Sequence, residues 1–378
     1  MADRESEILA RLAPGIASIP AEAWNALTNG DPFLSHAFLS ALEDSGSVGL
    51  STGWSPAPIL IEDDGRLLAA APAYLKGHSQ GEYVFDHGWA EAWQNAGGQY
   101  YPKLLIAVPF TPVAGPRLLG HRPQQLLAAI EAVTTQNGLS SAHVNFIDEG
   151  GTTECERRGW LTRLGVQYHW FNRHYASFDE FLESLNSRKR KAIRKERMAA
   201  QDGLEIHALR GPEIGPSQWD AMWAFYQDTG SRKWGRPYLT RQFFDLIGER
   251  MGESILLFLA CRDGQPIAGA LNLLGGDTLY GRYWGCLEEV KYLHFELSYY
   301  RALEWAIAHG FKTVQAGAQG EHKIARGYEP VITRSAHFIP NMSFRNAIAE
   351  FLDAERAAIV NEVEWLQQDL PYRSSPSP

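Results

Sequence analysis

Two stretches of this chain match one another without a gap, and that match limits the fold more than any other feature. DGRLLAAAPAYL occupies 64–75 and DGQPIAGALNLL occupies 263–274. The Asp, the Gly, two Ala and the last Leu are identical. Each copy follows an apolar run, at 58–61 and 255–260. Asp-Gly between alternating strands supplies the positive φ angles of a two-residue turn, so each copy is predicted to be a β-hairpin. The order of elements then repeats. A helix over 123–136, closed by Asn137-Gly138, precedes a strand over 142–147. In the second half a helix over 295–308, closed by His309-Gly310, precedes a strand over 312–316. Glycine just past a helix end is the expected C-cap. The pattern predicts an α/β (α+β) fold built from a duplicated unit. Its domains are expected over 1–170 and 203–378, joined by a segment over 171–202.

Composition narrows the class. A chain of 378 residues with 45% apolar and 12% aromatic side chains can bury two cores and is not disordered. No apolar run approaches the roughly 20 residues of a membrane span. No signal peptide is apparent at the start. Three cysteines without CxxC spacing argue against a disulfide framework or a zinc knuckle, so a cytoplasmic location is expected. The net charge of −9 excludes a general nucleic-acid coat. One segment departs from it. Over 188–197, Arg188, Lys189, Arg190, Lys191, Arg194, Lys195 and Arg197 stand against one acidic residue. This helix former has too few apolar residues for a core helix, so it reads equally as a local anion site or as a solvated face. A long amphipathic helix is expected over 344–370.

No nucleotide loop, zinc motif or nucleophile elbow is present. Chemistry-bearing residues gather instead in three clusters of the second half. Arg232, Trp234 and Tyr238 lie in a Gly-rich stretch, where arginine could fork onto an anion and the rings could stack. Arg282 and Trp284 precede His294, Glu296, Tyr299 and Tyr300, with His294 and Glu296 near a helix N-terminus and one tyrosine expected in the core. Gln319, Glu321, His322, Lys323 and Arg326 follow a strand end, where ligands gather in open α/β sheets. In the first half Asp86, His87, Tyr101 and Lys103 could grip a substrate, although packing is an equal reading for the tyrosines.

These motifs resemble the FemAB-like group of predicted N-acyltransferases (peptidoglycan biosynthesis/recognition) in the acetyltransferase-like, or GNAT, superfamily. The matching stretches are DPFLSH at 31–36, APAYLKGHSQGEYVFDHGW at 71–89, YYPK at 100–103 and SRKRKAIRKER at 187–197. They continue with 234–238, RYWG at 282–285, HFE at 294–296 and GAQGEHKIARGY at 317–328. The resemblance implies two tandem acyl-CoA N-acyltransferase (GNAT)-like domains, which agrees with the repeat. It further implies acyl or aminoacyl transfer to an amine of a peptide, cell-wall precursor or small molecule.

One departure bears on the donor. GNAT enzymes hold the pyrophosphate of acetyl-CoA on a Q/R-x-x-G-x-G/A loop, and here that stretch is CLEEVKYLHF at 286–295, without glycine. A glycine-free, partly acidic loop is a poor pyrophosphate cradle. The donor expected is therefore aminoacyl-tRNA or an acyl-CoA bound differently, with no tightly held cofactor and no metal. The basic segment could meet tRNA phosphates. On this reading His294, Glu296, Glu321 and His322 are the acid–base candidates, and Arg282, Lys323 and Arg326 the charge-stabilising ones. The alternative is a non-catalytic module that binds a peptidoglycan precursor or RNA.

Overall fold

A computed structural model describes residues 8–233, 237–317 and 320–373. The chain divides into two compact units, residues 1–165 with 332–361, and residues 166–331 with 362–378. The segment over 171–202 lies in the second unit. The first unit carries strands β1 (Ile8–Leu12), β2 (Trp54–Pro56), β3 (Ile59–Asp63), β4 (Arg66–Ala71), β5 (Ala73–Lys76), β6 (Lys103–Ile106), β7 (Leu119–Gly120) and β8 (Ala142–Val144). Strand β9 (Leu161–Phe171) enters the second unit. There follow β10 (Glu205–Arg210), β11 (Ile255–Arg262), β12 (Gln265–Gly275), β13 (Thr278–Cys286) and β14 (Thr313–Gln315), and β15 (Glu329–Phe338) leads back to the first unit.

The repeat holds at the level of backbone geometry. Asp64 and Gly65 have φ of 48° and 78°, and Asp263 and Gly264 have 48° and 74°. Both hairpins therefore turn on the left-handed pair that Asp-Gly favours. Each also carries a bulge at the same distance from its turn. Register shifts between Ile61 and Glu62 in one copy and between Ala260 and Cys261 in the other. Past the bulge the copies diverge. Pro72 has no N–H to give a ladder, and the strand breaks there into β4 and β5, which join different sheets. The corresponding residue of the second copy is Leu271, and β12 runs on unbroken for 11 residues.

In the first unit β1-β3-β4-β7 form one sheet, and β2, β5, β6 and β8 form another with residues 336–338 of β15. The helix Pro123–Gln136 packs Leu126, Leu127 and Ile130 on Ile59, Ile61, Leu104, Ile106 and Val144. Its bounds are those expected, with Pro at the first turn and Asn137-Gly138 beyond the end. The strand expected over 142–147 stops at Val144, because Phe146 takes a positive φ of 55°.

In the second unit the sheet order is β10-β11-β12-β13-β14-β9. The helical stretch after β13 is a single turn (Leu293–Phe295), a π-helical segment (Glu296–Tyr300) and an α-helix (Arg301–Ala308). It buries Leu297, Tyr300, Leu303 and Ala306 against Phe258, Ala260, Ala268 and Leu279. The basic run forms the helix Ser187–Gln201, which Asn186 caps by accepting from the Lys189 N–H. The helix expected over 344–370 spans Met342–Gln368, with Ile348, Leu352, Val363 and Leu366 buried and Phe351 exposed. Both units thus carry the order Asp-Gly hairpin, helix and short parallel strand.

Candidate active site

Each unit contains a parallel strand pair with a helix between its strands, and the two pairs behave differently. In the first unit β6 and β8 pair from Leu104↔Ala142 to Ile106↔Val144, and the Asn145 N–H extends the ladder to the Ile106 carbonyl at 3.0 Å. In the second unit β13 and β14 pair only over Thr278↔Thr313 to Tyr280↔Gln315. The remaining six residues of β13 have no partner on that edge among the described residues. A cavity of about 130 Å³ opens there. It is lined by Asn272, Gly281, Arg282, Trp284, His294, Ser298, Tyr299 and Gly317, among others. A second cavity of about 480 Å³ shares Trp284 and His294 with it.

The sequence clusters of residues 282–300 and 317–328 meet at this cavity. His294 packs its ring against Trp284 at 5.1 Å and Tyr299 at 5.4 Å between centroids. The Tyr299 hydroxyl lies 2.9 Å from Nε2 of His322. Tyr299 is buried, which pushes its hydroxyl up to about 12, so it is protonated at neutral pH. Lys323 is also buried and donates from Nζ to the Gly317 carbonyl at 2.7 Å. Burial brings its ammonium down to about 7. Glu321 is exposed. Arg282 lines the cavity, with its guanidinium 5.6 Å from the Tyr283 ring centre.

Two expected site residues serve the scaffold instead. The Glu296 carboxylate is 0% exposed, accepts from Arg197 at 3.1 Å and from Gln201 at 2.8 Å, and forms an ion pair with Arg301 at 3.0 Å. Held this way, it is not among the residues that line the cavity. Arg326 donates to Glu196 and to the His322 carbonyl, both at 2.8 Å, over the Phe295 ring. Its guanidinium thus ties the His322 backbone to the basic helix. Tyr300 joins the same knot by donating to Glu196, the one acidic residue of the basic run. Tyr238 sits on a loop whose N–H groups at Tyr238 and Leu239 donate to the Tyr226 hydroxyl at 3.2 Å. The Arg232 side chain, Trp234 and Gln319 lie outside the described residues.

The cations of the basic helix sort onto two faces. Arg190 pairs with Glu183 at 2.7 Å, Arg194 with Asp179 at 3.1 Å, and Arg197 with Glu296 and Glu304. Arg188, Lys191 and Lys195 are exposed and have no ion pair among the described residues. Their spacing of three and four places them on one stripe. Lys189, half-buried, likewise has none among the described residues.

The first-unit candidates are largely internal. Lys103 is buried, and its ammonium donates to Ser79 at 2.8 Å, to Glu82 at 2.9 Å and to Asp86. Three donors meet three internal acceptors, so no donor remains for a substrate. The Asp86 carboxylate also accepts from Tyr100 at 2.6 Å. Burial opposes its charge, but Lys103 and His143 hold it well below the usual carboxylate range. Tyr101 is half-buried with its hydroxyl 2.7 Å from Ser79, and His87 is exposed against Phe85. Asp86 and Lys103, expected as substrate contacts, form a buried ion pair with each other. The histidines His143 and His337, which the sequence reading did not single out, complete this network at 2.6 Å between Nδ1 atoms.

In the second unit the sequence reading also missed Asn272 and Ser298. Asn272 carried a signal, as the one polar side chain between Pro266 and Gly275, where the other copy has Ala73. Ser298 carried none.

The larger cavity is bounded mainly by one stretch of chain. It occupies the glycine-free stretch and is lined by Glu288 and Glu289 against a single cation, Lys291. Glu288 pairs with Arg262 at 2.9 Å. Among the described residues, no helix is long and apolar enough to cross a membrane, and no group of His, Cys, Asp and Glu side chains could hold a metal ion.

Among solved structures, the fold is similar to that of FemX, at TM-score 0.53 and 13% identity, covering 88% of this chain and 98% of that one. It is also similar to a conserved protein of unknown function from Bacteroides thetaiotaomicron, at TM-score 0.53 and 9% identity, covering 87% and 99%. A tandem GNAT protein from the clavulanic acid biosynthesis pathway aligns at TM-score 0.47 and 12% identity, covering 89% and 99%. No curated protein matches this chain in sequence. Residues 15–374 match the FemAB-like family, described as peptidoglycan biosynthesis/recognition, and the chain belongs to that family.

Proposed function

We propose that this chain is an N-acyltransferase that moves an acyl or aminoacyl group from an activated donor to an amine, with its chemistry in the cavity between β13 and β14. The observation that carries this reading is the opened parallel pair. It exposes strand edge beside a protonated tyrosine that is hydrogen-bonded to a histidine. The amine nitrogen attacks the donor carbonyl, a C–N bond forms, and the C–O or C–S bond to the leaving group breaks. Tyr299 gives its proton to the departing oxygen or sulfur. The proton lost by the amine returns through His322, which faces the Tyr299 hydroxyl. Arg282, lining the same cavity, stabilises the oxyanion. His294 and Trp284 wall the site on the side shared with the larger cavity. Lys323 holds Gly317 in place.

Carboxylates in the larger cavity oppose a pyrophosphate, which favours aminoacyl-tRNA over a conventionally bound acetyl-CoA. The unpaired stripe Arg188, Lys191 and Lys195, with Lys189 beside it, is the part of the basic helix available to an anionic partner. Incubation with alanyl-tRNA or acetyl-CoA and an amine acceptor, read by mass spectrometry, tests the reading. An amide product is expected. The family description also includes recognition, and that favours a second reading, a binding module for a cell-wall precursor. Saturable binding without product from either donor would select it.

A further inference from the structure

Asn272 is 1% exposed, and both of its amide N–H groups are occupied. Nδ2 donates to the Leu256 carbonyl at 3.2 Å and to the Ala270 carbonyl at 3.1 Å. Two carbonyl acceptors fix the orientation of the carboxamide, because a flipped amide would set oxygen against oxygen. The remaining atom, Oδ1, has no hydrogen-bond partner among the described residues, and Asn272 lines the cavity with Ser298 and Tyr299. An unsatisfied buried acceptor is a cost to the folded state. The fold does not require it, since the matching residue of the first copy is Ala73, also buried.

The backbone opposite keeps this oxygen open. Asn272 pairs with Gly281 at a bulge in the β12–β13 ladder, and a Cβ on Gly281 would lie 3.5 Å from Oδ1. Bulges of this kind re-aim side chains beside functional sites. The cavity of about 130 Å³ has room for a reacting group of the bulk of about four water molecules.

We propose that Asn272 Oδ1 is the acceptor for an N–H of a primary amine bound in this cavity, which makes Asn272 the residue that positions the attacking nitrogen. The assignment rests on the acyl-transfer reading and names its amine subsite. One N–H held by Asn272 leaves the nitrogen lone pair free for the carbonyl carbon. As the C–N bond forms, the nitrogen gains positive charge and the bond to Oδ1 becomes charge-assisted, so it strengthens toward the transition state. A quaternary ammonium, with no N–H, gains nothing there.

The test titrates methylamine and tetramethylammonium into the full chain and follows the Asn272 carboxamide resonances in a ¹H–¹⁵N spectrum, assigned by their loss in Asn272→Leu. Methylamine should shift them saturably and tetramethylammonium should not. Gly281→Ala supplies a variant that folds, because its Cβ meets only ordinary contacts and Gly281 has no positive φ. That methyl should weaken methylamine at least 10-fold and raise the amine KM by the same factor, with the donor KM unchanged. Equal responses to the two probes, or equal methylamine affinity in Gly281→Ala and the natural chain, would overturn the assignment. Product formation with an unaltered amine KM in Gly281→Ala rejects the subsite and keeps the transferase. Asn272-dependent amine binding without product from either donor keeps the subsite and rejects the transferase.

Discussion

The two units start from the same hairpin and end with opposite electrostatics. In the first, every strong charge at the parallel pair finds an internal partner: Lys103 binds Ser79, Glu82 and Asp86, and Tyr100 binds Asp86. In the second, the pair opens after three residues and leaves an acceptor, Asn272 Oδ1, facing a cavity. A set of paired charges specifies one packing, whereas an acceptor that faces a cavity is open to a ligand. Duplication supplied two scaffolds. One became a closed polar core and the other kept an opening.

The largest expected effect breaks the closed side. Lys103→Met strands two buried carboxylates and should destabilise the chain by about 3–5 kcal/mol in urea unfolding, the usual penalty for removing one partner of a buried pair. A loss under about 1 kcal/mol would mean that the network is solvated and open, like the cavity in the second unit.

Acid should reach the same network next. Burial, reinforced by Lys103, pushes His143 down to about 3, and burial with His143 pushes His337 well below its ordinary value. Both are therefore neutral when folded, while the unfolded chain protonates them below about pH 6.5. The unfolded state then binds more protons, so stability is present above pH 6.5 and is lost as the pH falls toward 3. At pH 5 the loss is about 2 kcal/mol for each histidine. Urea midpoints at pH 8 and pH 5 measure it, and His337→Gln should flatten the dependence.

The smallest effect sharpens the same contrast inside one helix. Neutralising Arg188, Lys191 and Lys195 should lower the slope of log affinity for tRNA against log salt by about 2–3. Neutralising Arg190 and Arg194, which are already paired with Glu183 and Asp179, should leave that slope unchanged.

Local rules carried much of this into the sequence. Asp-Gly turns, the Pro123 helix start and the glycine stops were legible because each depends on residues a few positions apart. The gathering of His294, Tyr299 and His322 was legible only as two separate clusters, since the β13–β14 pairing that unites them is a long-range contact. The burial of Glu296 and Lys103 was not legible at all. Whether a charge meets solvent or a partner distant in sequence depends on tertiary packing, and Arg197 lies 99 residues from Glu296. The basic run shows the same limit. Its composition announced seven cations, but helix geometry and Asp179, Glu183, Glu296 and Glu304 decided which of them remain available.

Removing one hydroxyl from each unit tests most directly whether the chemistry belongs to the opened pair. Tyr299→Phe and Tyr100→Phe are the same chemical change, one at the cavity and one in the closed network. Amide formation by mass spectrometry, below the melting temperature of both variants, should fall about 100-fold or more for Tyr299→Phe. Tyr100→Phe should lose about 1–3 kcal/mol of stability with turnover unchanged. Full turnover in Tyr299→Phe, or an equal loss of turnover in both variants, would contradict the assignment of the chemistry to the second unit.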